Sequence, residues 1–335
     1  MSQAGAAVED ARTVRRRVAL AQFTSLFQRQ GALVALVLVC VFAALRYPRF
    51  LTEDNLLNVL RQNSMLGLVA LGMTFVILTG GIDLSVGSLL AVAGVLAANL
   101  AGYGLFPAML AAVAFTALLG FINGLVISKA RIQPFIVTLA MMIAARGLAL
   151  AYTGEQSVRV ASLSKGFTEL GRGRLDLFGV SLPIPILVLL AAFVVGWLVL
   201  NHTRFGRHVY SIGDNEEAAR LMGLNVGRVT LGVYALSGAL AGLAGVILAS
   251  RLGAGQPVAG LGWELDAIAS VVVGGTLLTG GQGGVGSTLV GVLLLGVIFN
   301  LFNLEGWISP WWQSVLRGII LLAVVIVQNR LSARK

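Results

Sequence analysis

The sequence predicts an all-α, polytopic integral membrane protein, and three observations carry that prediction. Of its 335 residues, 57% are hydrophobic and only 11% are charged, against roughly a quarter charged in soluble domains. Mean hydropathy is +0.90. The apolar residues gather in runs near the 20 or so that a helix needs to cross about 30 Å of hydrocarbon. About ten such helices fit the length, some of them broken or re-entrant, with both termini cytoplasmic.

The first element is a basic tail, residues 1–30, carrying Arg15, Arg16 and Arg17. The apolar run behind it ends in Arg46, Tyr47 and Pro48 without a small-x-small cleavage site, so it reads as a retained anchor. A transmembrane domain, 31–328, follows. Its expected spans are Gly31–Leu45, Ser64–Thr79, Ser85–Ala101, Leu105–Ile127 and Phe135–Tyr152, then Pro183–Asn201, Val229–Ser250, Leu265–Leu278, Val285–Leu304 and Trp311–Gln328. A short tail, 329–335, closes the chain.

With the N-terminal tail inside, fourteen of the 24 Lys and Arg fall on the cytoplasmic side, in both tails, at Lys129 and Arg131, and in the loop after Asn201. That is the sign the positive-inside rule requires, and it accounts for the net charge of +10 through membrane topology, with no nucleic-acid partner and with lipid as the surroundings. Leu265–Leu278 is short for a span and reads also as a half-helix or re-entrant piece. Residues 153–182 form the long external loop.

The cytoplasmic loop 201–228 holds the sharpest local signal. In the run GDNEEAARLMGLNV, Asp214 serves as N-cap, with Glu217 completing a capping box. Glu216 and Glu217 suit the positive end of the helix dipole. Ala218, Ala219, Leu221 and Met222 favour helix, and Gly223 is a left-handed stop. This predicts a two-turn helix, either an amphipathic connector on the membrane surface or a docking element whose apolar face, Ala218, Leu221 and Met222, seeks a partner.

Between the second and third spans lies TGGIDLSVGS, residues 79–88. Gly80 and Gly81 suit a tight structural turn, and Asp83 or Ser85 suits the cap of the next helix. A broken helix at membrane depth also exposes amide dipoles and carbonyls that suit an uncharged, polyhydroxylated solute. Asp83, Ser85, Ser88 and Asn123 are the candidates to line such a path. Asn123 sits in a Gly-x-x-x-Gly run that serves close helix packing equally well. Thr279-Gly280-Gly281 echoes the first copy without its aspartate, which suggests an internal repeat. Glu264 and Asp266 stand at a helix start as candidate caps. Arg146, inside the fifth span, calls for a polar partner, with Asp266 the candidate.

No phosphate-binding Gly-x4-Gly-Lys motif occurs, Cys40 is alone, and the two histidines lie isolated in the basic loop. The chain is expected to bind no cofactor or metal and to hold no catalytic residues.

Glu217-Ala218-Ala219-x-x-x-Gly223 resembles the EAA-x3-G signature of bacterial ATP-binding cassette (ABC) importer permeases. TGGIDLSVGS resembles the glycine–aspartate signature of the ribose/xylose/galactose-type permeases within them. Pro134-Phe135-Ile136-Val137-Thr138-Leu139, Ala145-Arg146-Gly147-Leu148, Thr203-Arg204-Phe205-Gly206-Arg207, Glu264-Leu265-Asp266-Ala267-Ile268-Ala269 and Gly274-Gly275-Thr276 continue the likeness in order, from about Phe50 onward. Gln133, Trp263, Leu301 and Glu305 depart from it, and Trp263 and Leu301 are expected to bear on the solute path.

The resemblance implies the inner-membrane permease subunit of a monosaccharide importer for a pentose or hexose. Separate ATPase subunits would hold ATP and Mg and dock on the cytoplasmic helix. An extracytoplasmic sugar-binding protein would deliver the solute, and a second, identical or different permease subunit would complete the path. Trp263 and Asp266 join the solute-path candidates. The rival is an ion-gradient-driven secondary carrier, which would place more acids deep in its spans.

Overall fold

The computed structural model describes residues 31–160, 165–177, 179–306 and 309–332. The basic tail, residues 1–30, and residues 333–335 lie outside them. The helices in order are α1 (Gly31–Arg46), α2 (Glu53–Leu78), α3 (Val86–Leu100), α4 (Leu105–Ala130) and α5 (Pro134–Thr153), then α6 (Lys165–Arg172), α7 (Ile184–His202), α8 (Arg204–Asp214) and α9 (Glu216–Leu221). α10 (Val226–Leu252), α11 (Trp263–Val273), α12 (Val285–Glu305) and α13 (Pro310–Ser332) complete them. Seven are long and apolar enough to cross a membrane: α2, α3 with its 3-10 extension, α4, α5, α7, α10 and α12.

α2, α3 and α10 form the centre. From Ser64 to Leu78, α2 is apolar and buried nearly all round, as a helix enclosed by others must be. α4 buries a stripe of small or polar residues at fourfold spacing, Ala108, Ala112, Thr116, Gly120 and Gly124, together with Asn123, and turns Phe106, Leu110, Leu118 and Phe121 outward. The stripe lies along α10. Glycines at 120 and 238 let the two backbones approach so closely that a methyl on Gly120 would come 3.2 Å from the Gly238 Cα.

Three boundaries differ from expectation. α2 starts eleven residues before Ser64, because its polar first turns pair their side chains. Asn55 and Asn300 exchange amide hydrogen bonds at 2.9 and 3.2 Å, and the Arg61 guanidinium donates to Asn58 at 2.7 Å. α11 has 11 residues, about 16 Å of helix at 1.5 Å each, half a bilayer core. It is a half-helix, the second of the two readings. The segment 153–182 carries α6 and an antiparallel hairpin, Arg174–Leu177 with Val180–Pro183, while Val158–Arg159 pairs with Ala254–Gly255 beyond α10.

The loops divide between two ends of the bundle. One end gathers 79–81, 127–134, 203–226 and 279–284, and the other gathers the hairpins and the loop after α10. Two of the sequence departures find structural roles here. Leu301 packs with Ala43, Phe50 and Val59 in a cluster that joins α1, α2 and α12. Glu305 accepts a hydrogen bond from the Tyr47 hydroxyl, tying the loop after α1 to the end of α12.

Candidate functional site

At Gly80 the chain turns left-handed (φ +77°) and α2 stops. The next residues, 81–83, belong to no helix or strand, and α3 begins part-way through the bundle instead of at its edge. Asp83, fully buried, fixes that break. Its Oδ1 accepts the Ser85 amide at 3.0 Å and the Ser85 hydroxyl at 2.6 Å, and its Oδ2 accepts the Ser237 hydroxyl at 2.8 Å. Asn123 then donates its amide to the Ser85 hydroxyl at 3.1 Å, which leaves the Asn123 Oδ1 buried without a partner. Ser237 lies eleven residues along α10, about 16 Å from its start, which sets the depth of the cluster.

Three elements therefore converge on this carboxylate, α3 and α10 directly and α4 through Ser85, and two expected roles change. Asp83 does not cap α3. It holds the turn ahead of it, and Ser85 occupies the cap position without a side-chain cap bond. Ser237 escaped the sequence reading, although a serine inside an apolar helix is the kind of residue that reading should single out. Ser88 is buried on the first turn of α3.

A second break faces the first. Beyond α10 the chain passes through Gly260 (φ +70°) and Gly262 (φ +80°) before α11 starts. A methyl on Gly87 would sit 2.5 Å from the Glu264 carboxylate and would also strike the Gly260 carbonyl. The first turns of α3 and α11 thus meet inside the bundle, the arrangement by which carriers gather polar groups at depth. Trp263 and Asp266 flank this contact on α11 as Ser85 and Ser88 flank it on α3. Neither Glu264 nor Asp266 is a cap, because Gly262 holds that position and both acids stand in the first turn. Arg146 finds its partners here too: it donates to the Pro257 and Ala259 carbonyls, at 2.5 and 2.8 Å. A folded-back loop offers bare carbonyls, so these replace the expected Asp266.

The polar helix pair α8 and α9 hangs at one end. Thr203 caps α8 by accepting from the Gly206 amide at 3.2 Å, and Asn215 caps α9 by accepting from the Ala218 amide at 2.9 Å. The cap is thus Asn215, not Asp214. Asp214 still belongs to α8, and asparagine caps as well as aspartate does. No capping box forms, since Glu217 falls at the second helical position. Gly223 does turn left-handed at φ +84°. Ala219 is the buried residue of α9, while Leu221 and Met222 are 84% and 71% exposed. Glu216 and Arg220 pair at 2.6 Å across one turn.

The root of this pair is wedged between the two Thr-Gly-Gly turns. Gly213 rests against the Leu78 carbonyl and the Gly281 amide with no room for a side chain. The Gly281 amide itself donates to the Leu78 carbonyl at 3.0 Å, and Gly280 backs onto the Gly80 amide. The Tyr210 hydroxyl donates to the Gly283 carbonyl at 2.9 Å, and burial raises its pKa, which keeps it a donor. One junction therefore ties α9 to the turn that leads into Asp83.

Among the described residues no group of three or more His, Cys, Asp or Glu is placed to hold a metal.

The family described as "Branched-chain amino acid transport system / permease component" matches residues 55–325. The ribose import permease protein RbsC of Escherichia coli K12 is 43% identical over 310 residues, 90% of this chain and 94% of its own length. RbsC of Bacillus subtilis is 43% identical over 327 residues, 97% of this chain and 99% of its own. The L-arabinose transport system permease protein AraH of Escherichia coli K12 is 40% identical over 306 residues, 91% of each. No solved structure matches. With four-fifths of its length matched and relatives aligned nearly end to end, the chain belongs to this family of binding-protein-dependent transport permeases.

Proposed function

We propose that the chain is the multi-pass inner-membrane permease subunit of an ABC importer that carries a monosaccharide, a pentose or hexose, into the cell. The family's title speaks of amino acids, but three aligned relatives are named for ribose and arabinose, and the TGGIDLSVGS run belongs to the sugar type. Ten spans result when α1, α11 with its extended lead, and α13 are added to the seven long apolar helices. Both termini are then cytoplasmic, as are α8 and α9. ATP and Mg bind the partner ATPase subunits, and this chain hydrolyses nothing. An extracytoplasmic sugar-binding protein supplies solute, and a second permease subunit completes the path.

One observation carries the coupling: the EAA-type helix α9 presents Leu221 and Met222 outward while its root is wedged against both Thr-Gly-Gly turns. A helix that projects apolar side chains yet is braced at its base suits a docked motor and transmits its displacement. Asp83, Ser85 and Asn123 hold the broken helix that such displacement reaches, with Ser88, Trp263 and Asp266 beside the facing one. The buried acids are too few for the ion-driven alternative.

Proline at Glu217 would lose no hydrogen bond, because first-turn amides are free. Ala219→Pro removes the amide bond to the Asn215 carbonyl, 2.9 Å long, at a buried position. The variant is expected to insert normally and to lose substrate-stimulated ATP hydrolysis and uptake together in proteoliposomes holding the whole transporter. Wild-type coupling in that variant sinks the proposal.

A further inference from the structure

A cavity of about 340 Å³ opens beside α9, and neither the Asp83 cluster nor the docking surface uses it. Its wall combines the bare backbone of Gly80 and Gly81 with Ser128, Thr230 and Tyr234. This lies at the small end of ligand pockets, roughly 300–1,000 Å³, and fits a single sugar ring.

Three features mark it as more than a crevice. Tyr234 is 1% exposed, and its hydroxyl has no hydrogen-bond partner. It faces Gly81, where a side chain would come within 2.5 Å of it. A buried hydroxyl left unmatched is costly, so an occupant bearing its own hydroxyls is stabilised there. Arg131, also on the wall, holds a left-handed backbone at φ +54°, one of two described non-glycine residues with positive φ. Such strain persists where surrounding structure enforces it, and functional sites are where it collects. The third feature is the mouth, where the half-exposed Glu216–Arg220 pair of α9 forms part of the lining.

The cavity also backs onto the buried polar cluster. Tyr234 precedes Ser237 by one helical turn on the same face of α10, and Ser237 donates to Asp83. Glu216 is matched to Arg220, Ser128, Gln133, Thr230 and Tyr234 offer neutral donors and acceptors, and the Arg131 guanidinium adds further N–H donors, so the wall can hydrogen-bond a polyol at many points.

We propose that this cavity is a release chamber for the transported monosaccharide, with the Tyr234 hydroxyl as a binding partner and the Glu216–Arg220 turn of α9 as its outer gate. The inference rests on the importer reading and adds a site to it. Because α9 forms part of the mouth, a motion that couples ATP hydrolysis to the membrane also changes access to the chamber.

The test uses the complete transporter, with its ATPase and binding protein, in proteoliposomes. D-ribose and L-arabinose serve as probes, in a Cys40→Ser, Thr230→Cys background whose sole thiol is in the chamber wall. ATP-dependent uptake of either sugar before labelling supports the importer reading, and uptake of neither sinks that reading and the chamber with it. Given uptake, a thiol reagent applied on the ATPase side is expected to react severalfold more slowly when the transported sugar is present. Bulky labelling is expected to abolish uptake while binding-protein-stimulated ATP hydrolysis continues. Tyr234→Phe, which keeps the ring and removes only the hydroxyl, is expected to weaken uptake about fivefold, the worth of one hydrogen bond. Labelling indifferent to sugar, together with uptake unchanged by the label and by Tyr234→Phe, overturns the chamber and leaves the importer standing.

Discussion

The two Thr-Gly-Gly turns begin alike and end differently. At 79–81 the chain stops a buried helix, passes without regular structure to Asp83, and starts α3 deep in the bundle. At 279–281 it turns at the bundle's end with Gly280 and Gly281 both left-handed, and α12 follows as a full-length span. The first turn carries a carboxylate and gathers Ser85, Ser237 and Asn123 around it. The second has no acid, and its glycines accept Gly213 and so the root of α9. The difference teaches that the turn chemistry is shared while the polar content divides the labour: one turn fixes a break at depth, the other receives the root of α8 and α9.

Four substitutions press on that division. Gly281→Val is expected to do the most damage. It forces a β-branched residue into φ +72° with the Asp214 Cα 3.0 Å from the new carbon, and strain plus overpacking come to about 4 kcal/mol. Loss of a folded monodisperse species in detergent checks it, and a wild-type melting temperature would contradict the close packing. Asp83→Ala comes next. It leaves the Ser85 amide and two hydroxyls unmatched inside the bundle, at about 3 kcal/mol, read as a lowered melting temperature. Asp83→Asn, which keeps an acceptor, should recover part of it.

Asn215→Ala removes the α9 cap and is expected to cost about 1 kcal/mol locally. Faster amide exchange confined to 216–222 is the measurement. The smallest effect is expected from Tyr210→Phe, which deletes one bond to the Gly283 carbonyl, at about 0.5–1 kcal/mol. Reduced coupling with near-normal stability would show that this bond transmits motion between α8 and the second turn. A larger loss of stability than for Asp83→Ala would reverse the proposed division of labour.

Much of this was legible in the chain. Apolar runs located most of the helices, and α11 was drawn as a span but marked as short for one. The acidic run after Gly213 announced a short helix, missed by one residue at its cap because Asp214 and Asn215 are equally good cappers in sequence. The polar start of α2 was hidden because Asn55 and Arg61 find side-chain partners, Asn300 on α12, 245 residues away, for the first and Asn58 for the second. Arg146 was correctly read as needing partners, but backbone carbonyls of a folded-back loop leave no trace in side-chain identity.

Taken alone, the sequence determined a helical membrane protein, the positions of its glycine turns, the short polar helix at one end and the residue types of the buried cluster. Hydropathy, helix propensity and left-handed turns depend on neighbours within a few positions, so they can be read along the chain. The tertiary structure decided that Asp83 meets Ser237, that the two Thr-Gly-Gly turns touch with Gly213 between them, and that Tyr234 faces a cavity without a partner. Those facts follow from close packing of backbones across more than a hundred residues, where a glycine matters for what fills the space it leaves.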